Sequence, residues 1–348
     1  MNDAPQLTYR DSGVDRAAAD DAKTRISELV RSTYTDGVVG DFGAFGGCFR
    51  VGGGDDATIL VASADGVGTK LKVAVMANVH DTVGYDIVSH CADDILASGA
   101  VPLFFLDYLA LGVMEPGVVE GVVAGVARAC RDSGCALLGG ETAEMPDIYA
   151  AGDYDLAGFI VGRALHPAPL DGSTIEAGNA LIALASNGLH TNGYTLVRKI
   201  IFDVAGMDIH QHVPEWGRTV AEELLRPHRP YVTALQPLLE SRVVRGLAHI
   251  TGGGIPDNLP RMLPDGLGAE IDTASWEIPP VFVTLQELGG VPRDDMWATF
   301  NMGVGMIAAV AETEVDATLE QLRAAGENAW RIGSVVEGDG VRGLDDPQ

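Results

Sequence analysis

Short apolar runs alternate with helix-like stretches along the first half of the chain. Apolar runs of roughly four to eight residues are typical of buried strands, and apolar residues at helical spacing indicate amphipathic helices. The order in which these patterns occur predicts an α/β or α+β domain. The predicted elements are helix Ala17–Thr33, strand Thr58–Ala64, helix Asp81–Ser98, strand Leu103–Leu109, helix Gly117–Asp132, strand Cys135–Leu138 and strand Leu156–Gly162.

The second half mixes strands and helices in the same way, after a proline-rich linker at Leu165–Gly172. A chain of 348 residues is longer than one compact core usually serves, so we expect two domains, residues 1–166 and 167–348. The predicted elements are strand Ala180–Ala185, a helix from Asn192, a helical region Thr219–Glu240, strand Leu247–Ile250, helix Ile255–Met262, strand Gly268–Asp272, strand Val304–Val310, helix Glu314–Ala325 and strand Trp330–Val336.

Composition narrows the class of protein. A net charge of −26 disfavours nucleic acid and anionic membrane surfaces as partners. No apolar stretch reaches the roughly 18–20 residues that span a bilayer, and the polar start lacks the layout of a signal peptide. Four cysteines without a C-x-x-C pattern indicate reduced thiols, so we expect a cytoplasmic protein. The cysteines are Cys48, Cys91, Cys130 and Cys135.

Two glycine-rich acidic strings follow predicted strands. They are Asp65-Gly66-Val67-Gly68-Thr69-Lys70 and Gly139-Gly140-Glu141-Thr142. Carboxylate oxygens suit a divalent cation, and exposed backbone amides, hydroxyls or a lysine suit phosphate oxygens. The strings therefore predict a nucleotide–magnesium site in which Thr69 and Lys70 contact phosphate. A solvated lysine at a strand end is the alternative for Lys70, and no Walker A loop is present.

These two strings also occur in a known protein family. Further strings of that family follow in the same order along nearly the whole chain. The chain resembles the phosphoribosylformylglycinamidine cyclo-ligases, the aminoimidazole ribonucleotide synthetases of purine biosynthesis. The other matching strings are Tyr9-Arg10-Asp11-Ser12-Gly13-Val14-Asp15, Pro102-Leu103-Phe104-Phe105-Leu106-Asp107-Tyr108, Gly188-Leu189-His190-Thr191-Asn192-Gly193-Tyr194, Thr251-Gly252-Gly253-Gly254, Phe300-Asn301-Met302-Gly303-Val304-Gly305-Met306 and Gly326-Glu327-Asn328-Ala329-Trp330.

The resemblance implies an activity and an assembly. The reaction would be ATP-dependent ring closure of formylglycinamidine ribonucleotide to 5-aminoimidazole ribonucleotide, with release of ADP and phosphate and with Mg²⁺ as the metal. It implies two α/β domains and a homodimer in which the first domains form an intersubunit β-barrel. The alternatives are a selenophosphate synthetase or thiamine-monophosphate kinase of the same superfamily, or a catalytically silent nucleotide-binding module.

Three carboxylates form the candidate metal set: Asp65, Asp94 and Glu141. Asp94 shares a helical stripe with Asp86 and His90, because these positions step by four. A polar stripe is usually solvated, which is the reading we favour for Asp86. The family retains an aspartate at Asp94 and commonly has asparagine at Asp93, so which of the two faces the metal stays open.

Two further strings are candidates for substrate binding. His190 lies in a polar turn before a predicted helix whose start is marked by Thr191 or Asn192. Flanked by Asn192 and Gly193 at a helix N-terminus, this histidine could bind phosphate or relay a proton. Thr251-Gly252-Gly253-Gly254 precedes a short helix and is typical of an anion-binding nest for a ribose phosphate. Surface decoration for His190 and a plain flexible turn for the glycines are the alternatives.

Glycine and phenylalanine interleave in the segment 40–47. Dense glycine favours a mobile loop, and the phenylalanines could pack over a ligand. On pattern alone a buried turn is equally consistent. The family resemblance favours a loop that covers the substrate.

Overall fold

The computed structural model describes residues 7–54 and 57–344, without the side chains at positions 16 and 20. The polar start at residues 1–6 and the outer ends of both expected domains lie outside the described residues. None of the described helices is both long enough and apolar enough to cross a membrane. All four cysteines are free thiols.

The first half forms a six-stranded mixed sheet with strand order β1-β2-β3-β6-β4-β5. Neighbouring strands are antiparallel, except that β4 and β5 are parallel. Its elements are α1 (Arg16–Arg31), β1 (Val38–Val39), β2 (Gly47–Val51), β3 (Thr58–Gly66), α2 (Lys70–Ala77), α3 (Asp81–Ala97), β4 (Ala100–Leu111), α4 (Pro116–Asp132), β5 (Ala136–Glu144) and β6 (Tyr154–Ala164).

The second half forms another six-stranded mixed sheet, with order β10-β12-β7-β13-β11-β14, and a two-stranded ribbon of β8 and β9. Its elements are β7 (Ala180–Ala185), α5 (Tyr194–Arg198, continued as a π-helix over Lys199–Val204), β8 (His212–Val213), β9 (Arg218–Thr219), α6 (Val220–Leu224), α7 (Val232–Glu240), β10 (Val244–His249), α8 (Gly254–Asn258), β11 (Leu267–Ile271), α9 (Pro280–Gly289), α10 (Arg293–Thr299), β12 (Val304–Val310), α11 (Val315–Ala324), β13 (Ala329–Glu337) and β14 (Val341–Arg342).

The expected fold class, two mixed sheets with helices, is confirmed. Helix α3 is central to the packing of the first half. It lies on β3 and β6 and packs against α4. Glycine allows the two helices to approach closely, since a Cβ at Gly84 would lie 2.0 Å from the Val122 carbonyl oxygen. No closed barrel is present in the described chain.

Three sequence-based element predictions are corrected. The string Gly139–Thr142 lies inside β5, because parallel pairing with β4 supplies the hydrogen bonds that make glycine tolerable in a strand. The helical region predicted at 219–240 is two helices, separated by a segment that contains Pro227 and Pro230. Helices α2, α9 and α10 are not among the predicted elements, and a proline at the first turn of α9 is the signal that marks the start of that helix.

Candidate active site between the two sheets

A cleft lies where the end of β3 meets the turn that follows β7. A cavity of about 220 Å³ is lined by the segment 65–69, by His90, and by the segment 191–195. The hydroxyls of Thr69 and Thr195 lie 3.0 Å apart across it. Two larger cavities, of about 760 and 850 Å³, contain none of the predicted site residues.

Asp65 and Asp94 flank one imidazole at the edge of this cleft. The Nε2 atom of His90 lies 2.8 Å from Asp65 Oδ2 and 3.9 Å from Asp94 Oδ2. Burial alone would lower the pKa of His90, but the two carboxylates raise it to about 9. Burial also opposes ionisation of Asp65, yet hydrogen bonding and charge from His90 lower the pKa of that carboxyl. The structure thus brings together two of the three predicted metal ligands, around a cationic histidine.

Asp93 and Asp94, which are adjacent on α3, lie in different environments. Asp93 is fully buried, and its Oδ1 accepts a hydrogen bond of 2.9 Å from the backbone amide of Tyr231. Burial raises the pKa of Asp93 well above its usual range. Asp94 instead accepts a hydrogen bond of 3.2 Å from Ser63 on β3. Asp94 is therefore the one that lies on the side of Asp65.

Lys70 does not line the cleft, contrary to the sequence-based expectation. Its side chain is fully buried, and Nζ lies 2.7 Å from Asp86 Oδ2. The same ammonium donates to the carbonyl oxygens of His190, at 3.0 Å, and Arg226, at 2.8 Å. The interpretation of Asp86 as solvated is also wrong, because the polar stripe of α3 faces the second half of the chain.

His190 lies behind the cleft, because its turn folds inward. It is 1% exposed and has a positive φ of 59°, and its Nε2 accepts a hydrogen bond of 2.9 Å from the amide of Asn187. Burial lowers the pKa of His190 well below its ordinary value, so the ring is neutral. The neighbouring Thr191 hydroxyl lies 2.8 Å from His90 Nδ1 and links this turn to the acidic pair.

The two predicted substrate strings lie side by side. Asn192 and Gly193 line the cleft, and a Cβ at Gly193 would lie 2.3 Å from the ring of Phe300. A Cβ at Gly252 would lie 3.1 Å from Asn192 Oδ1, so the string Thr251–Gly254 is adjacent. Within it Gly253 and Gly254 both have positive φ, and the Asn258 amide donates to the Gly252 and Gly254 carbonyls at 3.2 and 2.9 Å.

The glycine–phenylalanine loop rests on a residue that sequence reasoning missed. The guanidinium of Arg261 lies 3.6 Å from the ring centroid of Phe45 and donates to the Gly43 carbonyl at 3.2 Å. Another of its nitrogens donates to Asn258 Oδ1 at 3.1 Å. Arg261 therefore connects the loop to the glycine string, and its position seven residues after Gly254 is the only sequence signal for it.

Glu141 lies far from the other two candidate metal ligands within one chain. The strand register aligns Glu141 with Tyr108, Ala157 and Gly66, which places it three strands from the end of β3. At about 4.8 Å per strand this is a separation of about 14 Å. Glu141 is exposed, as are its neighbours Gly139, Gly140 and Thr142. A metal-binding role for Glu141 stays a prediction.

Comparison with known proteins covers both halves of the chain. Residues 47–164 match the family "AIR synthase related protein, N-terminal domain", and residues 176–346 match its C-terminal counterpart. Proteins named phosphoribosylformylglycinamidine cyclo-ligase from Trichlorobacter lovleyi and Pseudothermotoga lettingae are 49% and 48% identical to the chain. The first alignment covers 95% of both chains, and the second covers 96% of this chain and 98% of the relative.

Solved structures share the fold at lower identity. The tt0281 protein of Thermus thermophilus superposes with a TM-score of 0.63 at 21% identity, covering 96% of this chain and 100% of that one. Thiamine monophosphate kinase from Aquifex aeolicus gives 0.62 at 17% identity, covering 94% and 98%. AaThiL in complex with AMPPCP and TMP gives 0.61 at 18%, covering 94% and 92%. With nearly half of all positions identical to its relatives along almost its full length, the chain belongs to the phosphoribosylformylglycinamidine cyclo-ligase family of AIR synthase related proteins.

Proposed function

We propose that the chain is a ligase that closes formylglycinamidine ribonucleotide to 5-aminoimidazole ribonucleotide with ATP, in purine biosynthesis. The observation that carries the proposal is the near-full-length identity of 46–49% to relatives that bear this name. The cleft supports it, because an acidic pair, Asp65 and Asp94, lies between the two halves close to the glycine strings. A fold shared with an AMPPCP-bound kinase is consistent with ATP as the phosphoryl donor.

The chemistry needs activation of a poor leaving group. Transfer of the γ-phosphoryl group of ATP to the formamide oxygen releases ADP and makes that oxygen part of a phosphate leaving group. Attack of the amidine nitrogen on the activated carbon forms the ring C–N bond, and the carbon–oxygen bond then breaks with release of phosphate. The protein must align the reactants and exclude water, as in other phosphoryl transfers.

The residues of the cleft have separate tasks in this proposal. Asp65 and Asp94 would hold Mg²⁺, since their hard oxygen atoms fit that ion, and the ion would neutralise phosphate charge. Asn192, Gly193 and the string Thr251–Gly254 would bind the ribose phosphate. Thr69, with Gly66 and Gly68, would bind phosphates of ATP. Lys70 and His190 are positioning residues, because both are buried against the turn that they support.

The test is a reconstituted reaction. Purified protein with formylglycinamidine ribonucleotide, ATP and Mg²⁺ should produce ADP and the aminoimidazole in equal amounts. Parallel reactions with thiamine monophosphate and with selenide address the related enzymes of the superfamily. Turnover with either of these but not with the amidine would refute the proposal, and ATP binding without any turnover would indicate a silent module. Burial raises the pKa of Cys48, which argues against a reactive selenophosphate-synthetase thiolate.

We also propose a homodimer formed through the open face of the first sheet. Four large apolar side chains on that face are 40–47% exposed: Phe49, Val51, Tyr108 and Phe159. The strand register places all four side chains on the face of the sheet that is opposite the helices. Glu141 lies on the same face, because it pairs with Tyr108. Covering this face with a second copy would remove apolar surface from water and would bring Glu141 to another subunit.

Assembly can be tested by light scattering at micromolar concentration. We expect a dimer, and Phe159→Asp should give a monomer with reduced activity. The exposed Leu288→Asp, at 37% exposure in α9, is the matched control and should leave the dimer intact. An active, monodisperse monomer of the unmodified protein would refute the dimer. The free thiols and the absence of a membrane-spanning helix among the described residues are consistent with the cytoplasm as the site of action.

A further inference from the structure

Two of the four cysteines lie on either side of one turn, where α4 ends and β5 begins. The turn is a Schellman motif: the amide of Cys135 donates to the carbonyl oxygen of Cys130 at 2.9 Å, and the amide of Gly134 donates to that of Arg131 at 3.2 Å. Gly134 supplies the left-handed backbone that this motif needs, with a φ of 71°. Side chains at the positions of Cys130 and Cys135 frequently contact each other in such a motif.

The hydrogen bond between the two cysteines limits how far apart they can be. An amide nitrogen lies about 1.46 Å from its own Cα, and a carbonyl oxygen lies about 2.4 Å from its own Cα. With the hydrogen bond of 2.9 Å between them, the Cα atoms of Cys130 and Cys135 are at most about 6.8 Å apart. Disulfides span Cα separations of about 4.4–6.8 Å, so the pair lies within the reach of a disulfide.

Both side chains lie on the side of the sheet that the helices cover. Cys130 is buried in the hydrophobic core, and the half-buried Cys135 packs against that core. Strand alternation places Cys135 on the same face as Leu137, which pairs with the fully buried Phe105. The cysteine pair is therefore separate from the face through which we propose that the protein dimerises.

The two thiols differ in reactivity. A hydrogen bond between them lowers the pKa of Cys135, while the same bond, together with burial, raises the pKa of Cys130. The thiolate is the nucleophile in thiol–disulfide exchange, so Cys135 is the residue that reacts first. Cys135 is also the more exposed of the two, and the turn beside it is open, because a Cβ at Gly134 would meet nothing within 4 Å.

We propose that Cys130 and Cys135 are a reversible modification site, which forms an intrachain disulfide by exchange with a small-molecule disulfide such as oxidised glutathione. The Cys135 thiolate attacks one sulfur atom of the reagent, which forms a mixed disulfide and releases one thiolate. The Cys130 thiol then gives up its proton and attacks the Cys135 sulfur, which forms the bond between the cysteines and releases the second thiolate. The two cysteines are oxidised, and the reagent is reduced to two thiols that take up both protons.

The bond would close the junction between α4 and β5. The end of α4 also contacts two other helices: the Asp132 carboxylate accepts from the Tyr85 hydroxyl of α3 at 2.9 Å, and the Asp132 carbonyl oxygen accepts from Thr233 of α7 at 3.3 Å. A cross-link restricts the unfolded chain, so oxidation should raise the melting temperature by about 2–5 °C, and dithiothreitol should reverse the rise. None of the described residues that line the cleft belongs to α4 or to this turn, so the effect does not depend on the proposed reaction.

The test identifies the bond directly by mass spectrometry. After incubation with oxidised glutathione, the wild-type protein should lose the mass of two hydrogen atoms, and dithiothreitol should restore it. Trypsin cuts after Arg131, between the two cysteines, so the disulfide should appear as two peptides joined to each other. Cys130→Ser should stop at the glutathione adduct of Cys135, because the second thiol is missing. Cys48→Ser, which alters a half-buried cysteine of β2, is the matched control and should form the cross-link as before.

Several results would overturn the proposal. They are wild-type protein that forms no cross-link, a cross-link to Cys48 or Cys91 instead, and Cys130→Ser that carries no adduct on Cys135. A lasting glutathione adduct on Cys135 of the wild-type protein would also overturn it, because Cys130 would then be out of reach. If Cys130→Ser does not fold, the joined tryptic peptides of the wild-type protein decide.

Discussion

At the scale of single residues, Lys70 and Asp86 form an ion pair that is completely shielded from solvent. Removing one partner of such a pair leaves an uncompensated buried charge, which typically costs about 3–5 kcal/mol. We therefore expect Lys70→Met to lower the free energy of unfolding by about that amount in urea titrations. The double variant Lys70→Met/Asp86→Leu should recover much of the loss. A loss below about 1 kcal/mol in the single variant would contradict this reading of the pair.

A second residue-scale prediction concerns Asp94. If it helps to stabilise charge on the transferred phosphoryl group, Asp94→Asn should lower turnover by about 10²–10³-fold. ADP release and aminoimidazole formation should be followed together, because unequal losses would separate activation from ring closure.

The control for Asp94 must not be Asp86, whose buried pair makes its replacement destabilising. Asp81→Asn is better matched, since Asp81 is on the same helix and pairs with Arg128 at 3.1 Å on the surface. That variant should remain near the unmodified rate. Equal activity in Asp81→Asn and Asp94→Asn would remove Asp94 from the proposed metal site.

The sequence predicts part of the site at this scale and misses the rest for a physical reason. Asp65 at a strand end and Asp94 on the next long helix are close because local elements place them there. Lys70, by contrast, is bound by carbonyls 120 and 156 residues further along the chain. Packing of the two halves also brings His228 and His249 against Asp93 and Asp94 of α3, and no local pattern at either histidine indicates that contact.

At the scale of elements, the close contact of α3 with α4 depends on glycine. Gly84→Ala would improve helix propensity by up to about 1 kcal/mol. However, its Cβ would lie 2.0 Å from the Val122 carbonyl oxygen, so the helices must separate. We expect a net loss of about 1–3 kcal/mol in unfolding free energy, as is usual for overpacking.

Gly117 in α4 is the matched control for Gly84. It is exposed, and a Cβ there would meet nothing within 4 Å. Gly117→Ala should therefore be neutral or slightly stabilising in the same urea titration. A stabilised Gly84→Ala would show that the helices yield more easily than their backbone contact indicates.

The sequence predicts an element correctly where the spacing of apolar residues determines the secondary structure. It fails where pairing with a distant strand determines it. Strands Ala180–Ala185 and Val304–Val310 have the predicted bounds, because they are central and continuously apolar. The string Gly139–Thr142 has the composition of a loop and yet extends β5. Its partner β4 lies more than twenty residues earlier, so the pairing that holds it is invisible in a local window.

At the scale of the whole molecule, charge is the dominant property. With 49 acidic and 23 basic side chains, the folded state carries strong self-repulsion. Screening shortens the Debye length from about 30 Å at 0.01 M salt to about 3 Å at 1 M. The melting temperature should therefore rise with KCl and equally with NaCl, with or without ligand. A flat or falling melting temperature between these concentrations would refute the repulsion argument.

The hydrogen bonds from Lys70 to the second half also determine when the first half can finish folding during synthesis. A ribosome that adds roughly 5–20 residues per second needs about 8–30 s to travel the 156 residues from Lys70 to Arg226. Until Arg226 has been added, the ammonium lacks at least one of its two carbonyl acceptors, and α2 lacks part of the surface that buries it. We therefore expect that the first half cannot complete its packing around Lys70 until the second half has been synthesised. The cleft between the two halves then forms only late in translation.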